Sequence, residues 1–132
     1  KHRVAECLEA HPTLALQGLL HDASEAYLCD IPSPIKRLPI MEPYRQAEAV
    51  LQATIYQAFG LPQYVPEAVK RVDVRMLRTE QRDLMPPALP GEDRSDAEPY
   101  SWAVQPWTIE YARVRFLERM AEWGASRTLG AV

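Results

Sequence analysis

A helix that is apolar on almost every side is stable only at the centre of a fold, walled in by other elements. The stretch HPTLALQGLLHDASEAYL, from His11 to Leu28, predicts one. It carries Leu14, Leu16, Leu19, Leu20 and Tyr27, and Pro12 suits a first helical turn. Up to Leu20 the apolar character is nearly all-round. The walls are written elsewhere in the chain. HRVAECLEA, from His2, predicts a short helix or the end of a longer one. Between Glu42 and Gly60, apolar residues recur at Tyr44, Ala47, Val50, Leu51, Ile55 and Ala58, and Gly60 is a natural stop. Pro66 opens a further helix whose inward stripe is Val69, Val72, Met76, Leu77 and Leu84. Thr108 caps a last helix with Ile109, Ala112, Phe116, Met120 and Trp123 on one stripe and Gly124 at its end. The prolines, 12 against only 5 glycines, fall where helices start or stop. Residues 29–41, with Pro32, Pro34 and Pro39, read as a loop. Residues 86–107 read as a long surface excursion, of the kind that is usually functional or disordered. No segment reads as a strand and no internal repeat is present. The expectation is an all-α bundle.

The 132 residues amount to one domain, spanning 1–132. Hydrophobic residues at 47% and charged residues at 25% are the balance of a soluble globular protein. The net charge of −3 comes from basic residues interspersed with acids, which excludes the basic footprint of a duplex nucleic-acid binder. No apolar run approaches the roughly 20 residues that cross a bilayer, so no membrane partner is expected. Cys7 and Cys29 are too few for a disulfide framework or a thiolate zinc site. They are expected as small hydrophobes on helix faces in a reducing, cytoplasmic compartment.

Where the central helix ends, the chain turns acidic. His21, Asp22, Glu25 and Asp30 fall within ten residues. On a continuous helix His21 and Glu25 share a face, with Asp22 about 100° round. A metal ion between His21 and Asp22 could be bound by both, with Glu25 one turn further on. Imidazole plus carboxylate is a ligand set for first-row transition metals, not for calcium or a thiolate zinc site. A solvated helix end is the plain alternative, yet the apolar run leads directly into the pair, where an unpaired ionisable group is costly. Asp73 is a second anomaly. It falls on the apolar stripe of its helix between Val69 and Leu77, with Glu80 further along the same stripe. A carboxylate there needs a cation or hydrogen-bond donors. Arg71, Arg75 or Arg78 could answer it; a metal shared with His21 and Asp22 would account for both anomalies at once.

HDASEAYLCDIPSPIKR, from His21 to Arg37, resembles a segment of the HD-domain metal-dependent phosphohydrolases. The resemblance is to the 5'-deoxynucleotidase branch and its phage dATP triphosphohydrolase-like relatives. That branch carries His-Asp-Ala-Ser-Glu, then Asp before a Pro-x-Pro-x-Lys turn; here these are His21 to Glu25, then Asp30, Pro32, Pro34 and Lys36. VKRVDVRMLRTE is similar to the family's distal Asp helix, with Asp73 in the matching place. The match spans about residues 14–84. It implies an HD-domain helical bundle and one divalent transition metal (Mn, Co, Fe, Ni or Zn), held by a His, a His-Asp pair and a distal Asp. His21, Asp22 and Asp73 fill the last three of those places. The family's first His lies upstream, in a His-Ser-x-x-Val-Ala context. Alignment on Val4 and Ala5 puts it just before Lys1, in an N-terminal segment this chain is expected to lack. His2, about two residues off register, is the alternative.

The resemblance further implies metal-assisted hydrolysis of a (deoxy)nucleotide, by a deoxynucleoside-triphosphate triphosphohydrolase or a 5'-deoxynucleotidase. Glu25 would orient or deprotonate the attacking water, or protonate the leaving oxygen; Asp30 would share that role or orient a ligand. Lys36 and Arg37 would offer positive charge to phosphates, or are simply exposed loop cations. Tyr27 could stack on a base. Trp102 and Trp107 could too, although anchoring the long loop to the core suits them better. His11, beside Pro12 at a helix start, is expected at the surface. A homo-oligomer is implied by resemblance alone. Two other functions stay open: a metal- or nucleotide-binding HD sensor without turnover, and a helical interaction domain whose acids only cap and pair. Glu25 favours the enzyme, because a pure binding site needs no extra carboxylate one turn on.

Overall fold

The computed structural model describes residues 2–87 and 96–128. Among them are six α-helices and no strand: α1 (His2–Glu6), α2 (Pro12–Leu20), α3 (Ser33–Lys36), α4 (Glu42–Ala58), α5 (Glu67–Leu84) and α6 (Ile109–Thr128). The chain is an all-α bundle. No helix among the described residues is long and apolar enough to cross a membrane.

As its composition requires, α2 lies at the centre, packed against α1, α5 and α6. Ala15, Leu16, Leu19 and Leu20 of α2 are buried, as are Val4, Ala5 and Leu8 above them and Tyr56, Val69, Met76 and Trp123 around them. Each large apolar side chain so buried contributes about 1.5–3 kcal/mol. Gly18 sets how closely α1 can approach. A Cβ at that position would stand 3.2 Å from Leu8 Cδ1 and 3.3 Å from Val4 Cγ1. The fully buried Gln17 ties the bundle to the α4–α5 connection: its side-chain amide donates to the Pro62 and Tyr64 carbonyls, and its backbone carbonyl accepts from Tyr56 Oη.

Gly60 ends α4 as expected. With φ of 62° it lets its own N–H reach the Gln57 carbonyl and the Leu61 N–H reach the Tyr56 carbonyl, at 2.8 Å each. This is the paired C-terminal bonding of a Schellman motif, and buried Leu61 and Tyr56 supply its apolar contact.

Several expectations need correction. The central helix stops at Leu20, and Ala23–Ala26 form a 3₁₀ turn instead. In a continuing α-helix the Ser24 N–H would bond to the Leu20 carbonyl. Here the side chain of Gln52, from α4, stands between them. Its Nε2 donates to Leu20 O at 2.8 Å, and its Oε1 accepts from Ser24 N–H at 3.1 Å. Inserting a side chain into the helical ladder is one of the few ways to break a helix sharply without proline. The same bonds rotate α4: Gln52 and Tyr56 are buried, whereas Ala47, Val50 and Ala58, expected on the inner face, are exposed.

On α5, Val69 and Met76 are buried and Val72 half-buried, but Leu77 and Leu84 are exposed. Thr79, not Leu77, takes the inward place after Met76, because a neighbour in sequence lies about 100° round the helix. Thr108 does cap α6, accepting the Tyr111 N–H at 3.2 Å. Ile109, in the first turn, is exposed, and α6 runs past Gly124 to Thr128. A lone mid-helix glycine costs only about 1 kcal/mol. The segment 29–41 is not all loop. It holds α3 and a 3₁₀ turn at Pro39–Met41, with prolines in first-turn places where a missing N–H costs nothing. Both cysteines are exposed, not packed on helix faces.

Part of the long excursion, residues 88–95, lies outside the described residues. Of the described residues, 96–107 hold no helix and are strapped along α5. Arg75 Nε donates to Glu98 O, the Arg82 guanidinium to the Tyr100 and Trp102 carbonyls, Tyr100 N–H to Thr79 Oγ1, and Val104 N–H to Asp83 at 2.8 Å. Trp102 packs against the core, stacked on Tyr100, which matches the anchoring role expected for it.

Candidate metal centre and adjoining cavity

His21 stands at the C-terminus of α2 with its side chain 5% exposed. Its Nδ1–H donates to the Gly18 carbonyl one turn back, at 2.6 Å. That bond places a proton on Nδ1 and aims Nε2 outward, as a carbonyl behind a metal-ligating histidine does. Nε2 meets two carboxylates: Asp22 Oδ2 at 3.0 Å and Asp73 Oδ1 at 3.1 Å. One ligand atom from each of the three residues lies within 4.8 Å of the others, a group that could hold a metal ion. Burial of the ring pushes its pKa down, but the hydrogen bonds and charges of Asp22 and Asp73 prevail and raise it to about 9. Without a metal, the cation between the two carboxylates is the His21 proton.

Asp73 reaches this point from α5, where Val69 and Met76 bury the same side of the helix. Its partner is His21. Arg75 is instead turned to Glu98 and the Tyr100 ring, and Arg78 to Gln81. Glu80 does not join the group. His2 does not either. It sits against α6, with Nε2–H donating to Ala112 O at 3.1 Å and its ring 5.0 Å from that of Trp107; burial lowers its pKa. His11 is exposed at the start of α2.

Asp22 belongs to a second feature as well, a cavity of about 640 Å³. Leu19, Leu20, Ile55, Phe59 and Phe116 form much of its wall, and Glu25, Asp30 and Tyr27 reach it with Asp22. The helical spacing that put Glu25 on the face of His21 does not apply, since α2 ends between them. Glu25 instead comes to the site through the 3₁₀ turn, on a wall shared with Asp22. Tyr27 is 76% exposed and stands at the mouth. Lys36 and Arg37 do not line the cavity. The Lys36 ammonium bonds to Glu48 at 2.8 Å and lies over the Tyr44 ring, and Arg37 is exposed. Trp107 packs edge-on against Tyr111, away from the cavity.

Two residues that shape the site were missed in the sequence. Gln52 separates His21 and Asp22 from the helical register that would otherwise carry them into Glu25, and Gly18 orients the imidazole. Neither has a periodic signal, because each acts through hydrogen bonds to backbone groups.

No family model matches the chain, and no solved structure matches it. Over 70 residues it is 46% identical to the uncharacterized protein YfdR of Escherichia coli strain K12, an alignment that covers 53% of this chain and 38% of that protein. The chain thus spans well under half the length of that relative, whose name assigns it no activity.

Proposed function

We propose that the chain carries the site of a metal-dependent phosphohydrolase acting on (deoxy)nucleotides, as the HD-type resemblance implies. The observation that carries this reading is the double membership of Asp22, in the His21–Asp22–Asp73 group and in the wall of the cavity lined by Glu25 and Asp30. A divalent transition metal (Mn, Co, Fe, Ni or Zn) fits the one-imidazole, two-carboxylate donor set and, when bound, polarises a phosphoryl oxygen as a Lewis acid.

The chain's own residues do the rest. Gly18 holds the Nδ1 proton so that Nε2 is the ligating atom of neutral His21. Asp22 keeps the metal group and the substrate cavity in register. Glu25 accepts a proton from the attacking water or returns one to the leaving oxygen. Asp30 orients the bound substrate from the rim. The apolar wall excludes bulk water, and Tyr27 offers a stacking face at the mouth.

The test is to incubate the purified protein with Mn²⁺ or Co²⁺ and each deoxynucleoside mono- and triphosphate. Release of phosphate or triphosphate is expected, lost on chelation and lost in Glu25→Gln while metal binding persists. A metal-loaded protein that turns over none of them refutes the hydrolase; nucleotide binding without turnover would support a sensor instead.

A further inference from the structure

We infer that the outer face of α5 in one copy of this chain docks antiparallel on the outer face of α6 in a second copy, closing a two-fold dimer. The inference is independent of the hydrolase reading. Leu77 and Leu84, expected in the core, are 42% and 53% exposed, beside Val74 at 37%. They belong to one outer stripe of α5: Lys70, Val74, Leu77, Gln81 and Leu84 follow one another at spacings of four, three, four and three. α6 carries a stripe of the same spacing, Glu110, Val114, Leu117 and Ala121, with Val114 49% and Leu117 52% exposed. Alternating steps of four and three make the seam along which two helices pair side by side. Both helices turn their other faces to α2. Among the described residues, the apolar members of both stripes are exposed.

Charge decides what covers the two stripes. Helical spacing puts Arg71 and Arg78 on one flank of the α5 stripe, and Asp73 and Glu80 on the other. α6 has the reverse order: Glu118 stands on the flank where α5 has its arginines, and Arg113 on the flank where α5 has its acids. Antiparallel helices bring like flanks together, and flanking charges select partner and orientation. Placing Val74 against Leu117 and Leu77 against Val114 sets Arg71 opposite Glu118, Glu80 opposite Arg113, and Gln81 beside Glu110 of the second copy. Glu118 already bonds to Arg115 at 2.6 Å, and a carboxylate has acceptor capacity for a second cation. Asp73 keeps to His21 and falls opposite the uncharged Met120. The other pairings are worse. Running the two helices parallel sets Arg78 against Arg113 and Asp73 against Glu118. Two copies of α5 set Arg71 against Arg78 when antiparallel and Lys70 against Lys70 when parallel. Two copies of α6 gain no charge pair when antiparallel, and set Glu110 against Glu110 when parallel. A two-fold axis repeats the α5–α6 contact and so doubles the apolar area buried. Each contact is about three helical turns long, so the interface falls at the small end of specific ones and micromolar dissociation is expected.

Equilibrium sedimentation of the full chain across the micromolar range tests this. Reductant and chelator are present, so that neither an exposed cysteine nor a metal bridges the copies. A monomer–dimer equilibrium is expected. Glu80→Arg and Arg113→Glu should each weaken it roughly tenfold, since each sets like charges together in both contacts. Mixed in equal amounts, the two variants should associate as tightly as the parent, because each contact then pairs a cation with a carboxylate again. A chain carrying both exchanges should recover in the same way. Glutamate and arginine are both good helix formers, so the variants should melt like the parent, which circular dichroism checks. A parent chain that stays monomeric, single exchanges that leave the equilibrium within about twofold, or a mixture that recovers nothing would each overturn the inference.

Discussion

Replacing Gln52 by methionine should loosen the candidate metal centre more than it loosens the fold. The substitution keeps the side chain's bulk but removes both the donor to Leu20 O and the acceptor for Ser24 N–H. If both backbone groups stayed unpaired, each would cost about 1–3 kcal/mol. The chain has a cheaper answer: freed of Gln52, the Ser24 N–H can bond to the Leu20 carbonyl and α2 can continue by a turn. That leaves a net loss of about 1–2 kcal/mol, or about 4–8 °C in melting temperature for a chain of this size. The extra turn, however, swings Asp22 and Glu25 round the helix axis relative to His21. Affinity for Mn²⁺, read by titration calorimetry, should therefore fall by roughly 10–100-fold, as when other supports of metal ligands are removed. Gln52→Glu separates the two effects. Its carboxylate can accept from Ser24 N–H but faces the Leu20 carbonyl when ionised, so this variant should regain stability as pH falls and the acid becomes a donor. A Gln52→Met protein that melts lower yet binds Mn²⁺ within about twofold of the parent would refute the positioning argument, since undisturbed supports of the ligands leave affinity unchanged.

Four further outcomes are expected. In the metal-free protein His21 has a pKa of about 9 against an ordinary 6.5. A group raised in this way contributes stability that is fully present below pH 6.5 and lost as pH rises through about 9, on the order of ~3 kcal/mol. Melts across that range should show the decline, and His21→Gln should abolish it. Bound Mn²⁺ should reverse the trend, because metal and proton compete for Nε2. Asp73→Asn, at a side chain 46% exposed, should leave the melting temperature within a few degrees while weakening Mn²⁺ binding at least about tenfold, as loss of a charged ligand does. Gly18→Val should cost about 1–3 kcal/mol by overpacking, measured by urea denaturation, because Leu8 and Val4 already crowd the Cβ position. Asp83→Ala removes the acceptor of the Val104 N–H, so hydrogen exchange at that amide should quicken while exchange in α2 stays as it was.

How far the fold could be read depended on which force decided each element. α2 is set by apolar character on nearly every side and α5 and α6 by apolar periodicity, and Leu16, Leu19, Val69, Met76 and Trp123 are buried as those patterns require. Gly60 stops α4 because only a positive φ lets the two closing bonds form. Where a polar group decided, spacing failed. The hydrophobic pattern of α4 points Val50 inward, but two backbone groups of another element recruit Gln52 and turn the helix around it. The continuation of α2 into Glu25 fails for the same reason, seen from the other side. The site residues His21, Asp22 and Asp73 were legible because each is an ionisable group where the local pattern is apolar, and that mismatch needs no knowledge of tertiary contacts. Their supports were not legible, since a glycine carbonyl and a glutamine amide look ordinary in any window of sequence.

The geometry also explains why such a site stands at the end of the most buried helix and not on a loop. His21 inherits its position from the packing of Leu16, Leu19 and Leu20, and its ring orientation from Gly18 within the same helix. Asp73 is fixed by α5, which is itself packed on α2. Asp22 lies past the His21 C-cap of α2, and it is there that α4 intervenes through Gln52. The end of α2 and α5 thus supply the three candidate ligand atoms, and α4 braces the segment that follows through the two Gln52 hydrogen bonds. The break after Leu20 does one more thing. It lets Glu25, Tyr27 and Asp30 join Asp22 in the lining of the cavity, whereas an unbroken helix would send these side chains round all sides. Moving the break, by changing Gln52, should therefore disturb metal binding and the cavity wall together, whereas changes at Asp73 should disturb the metal alone.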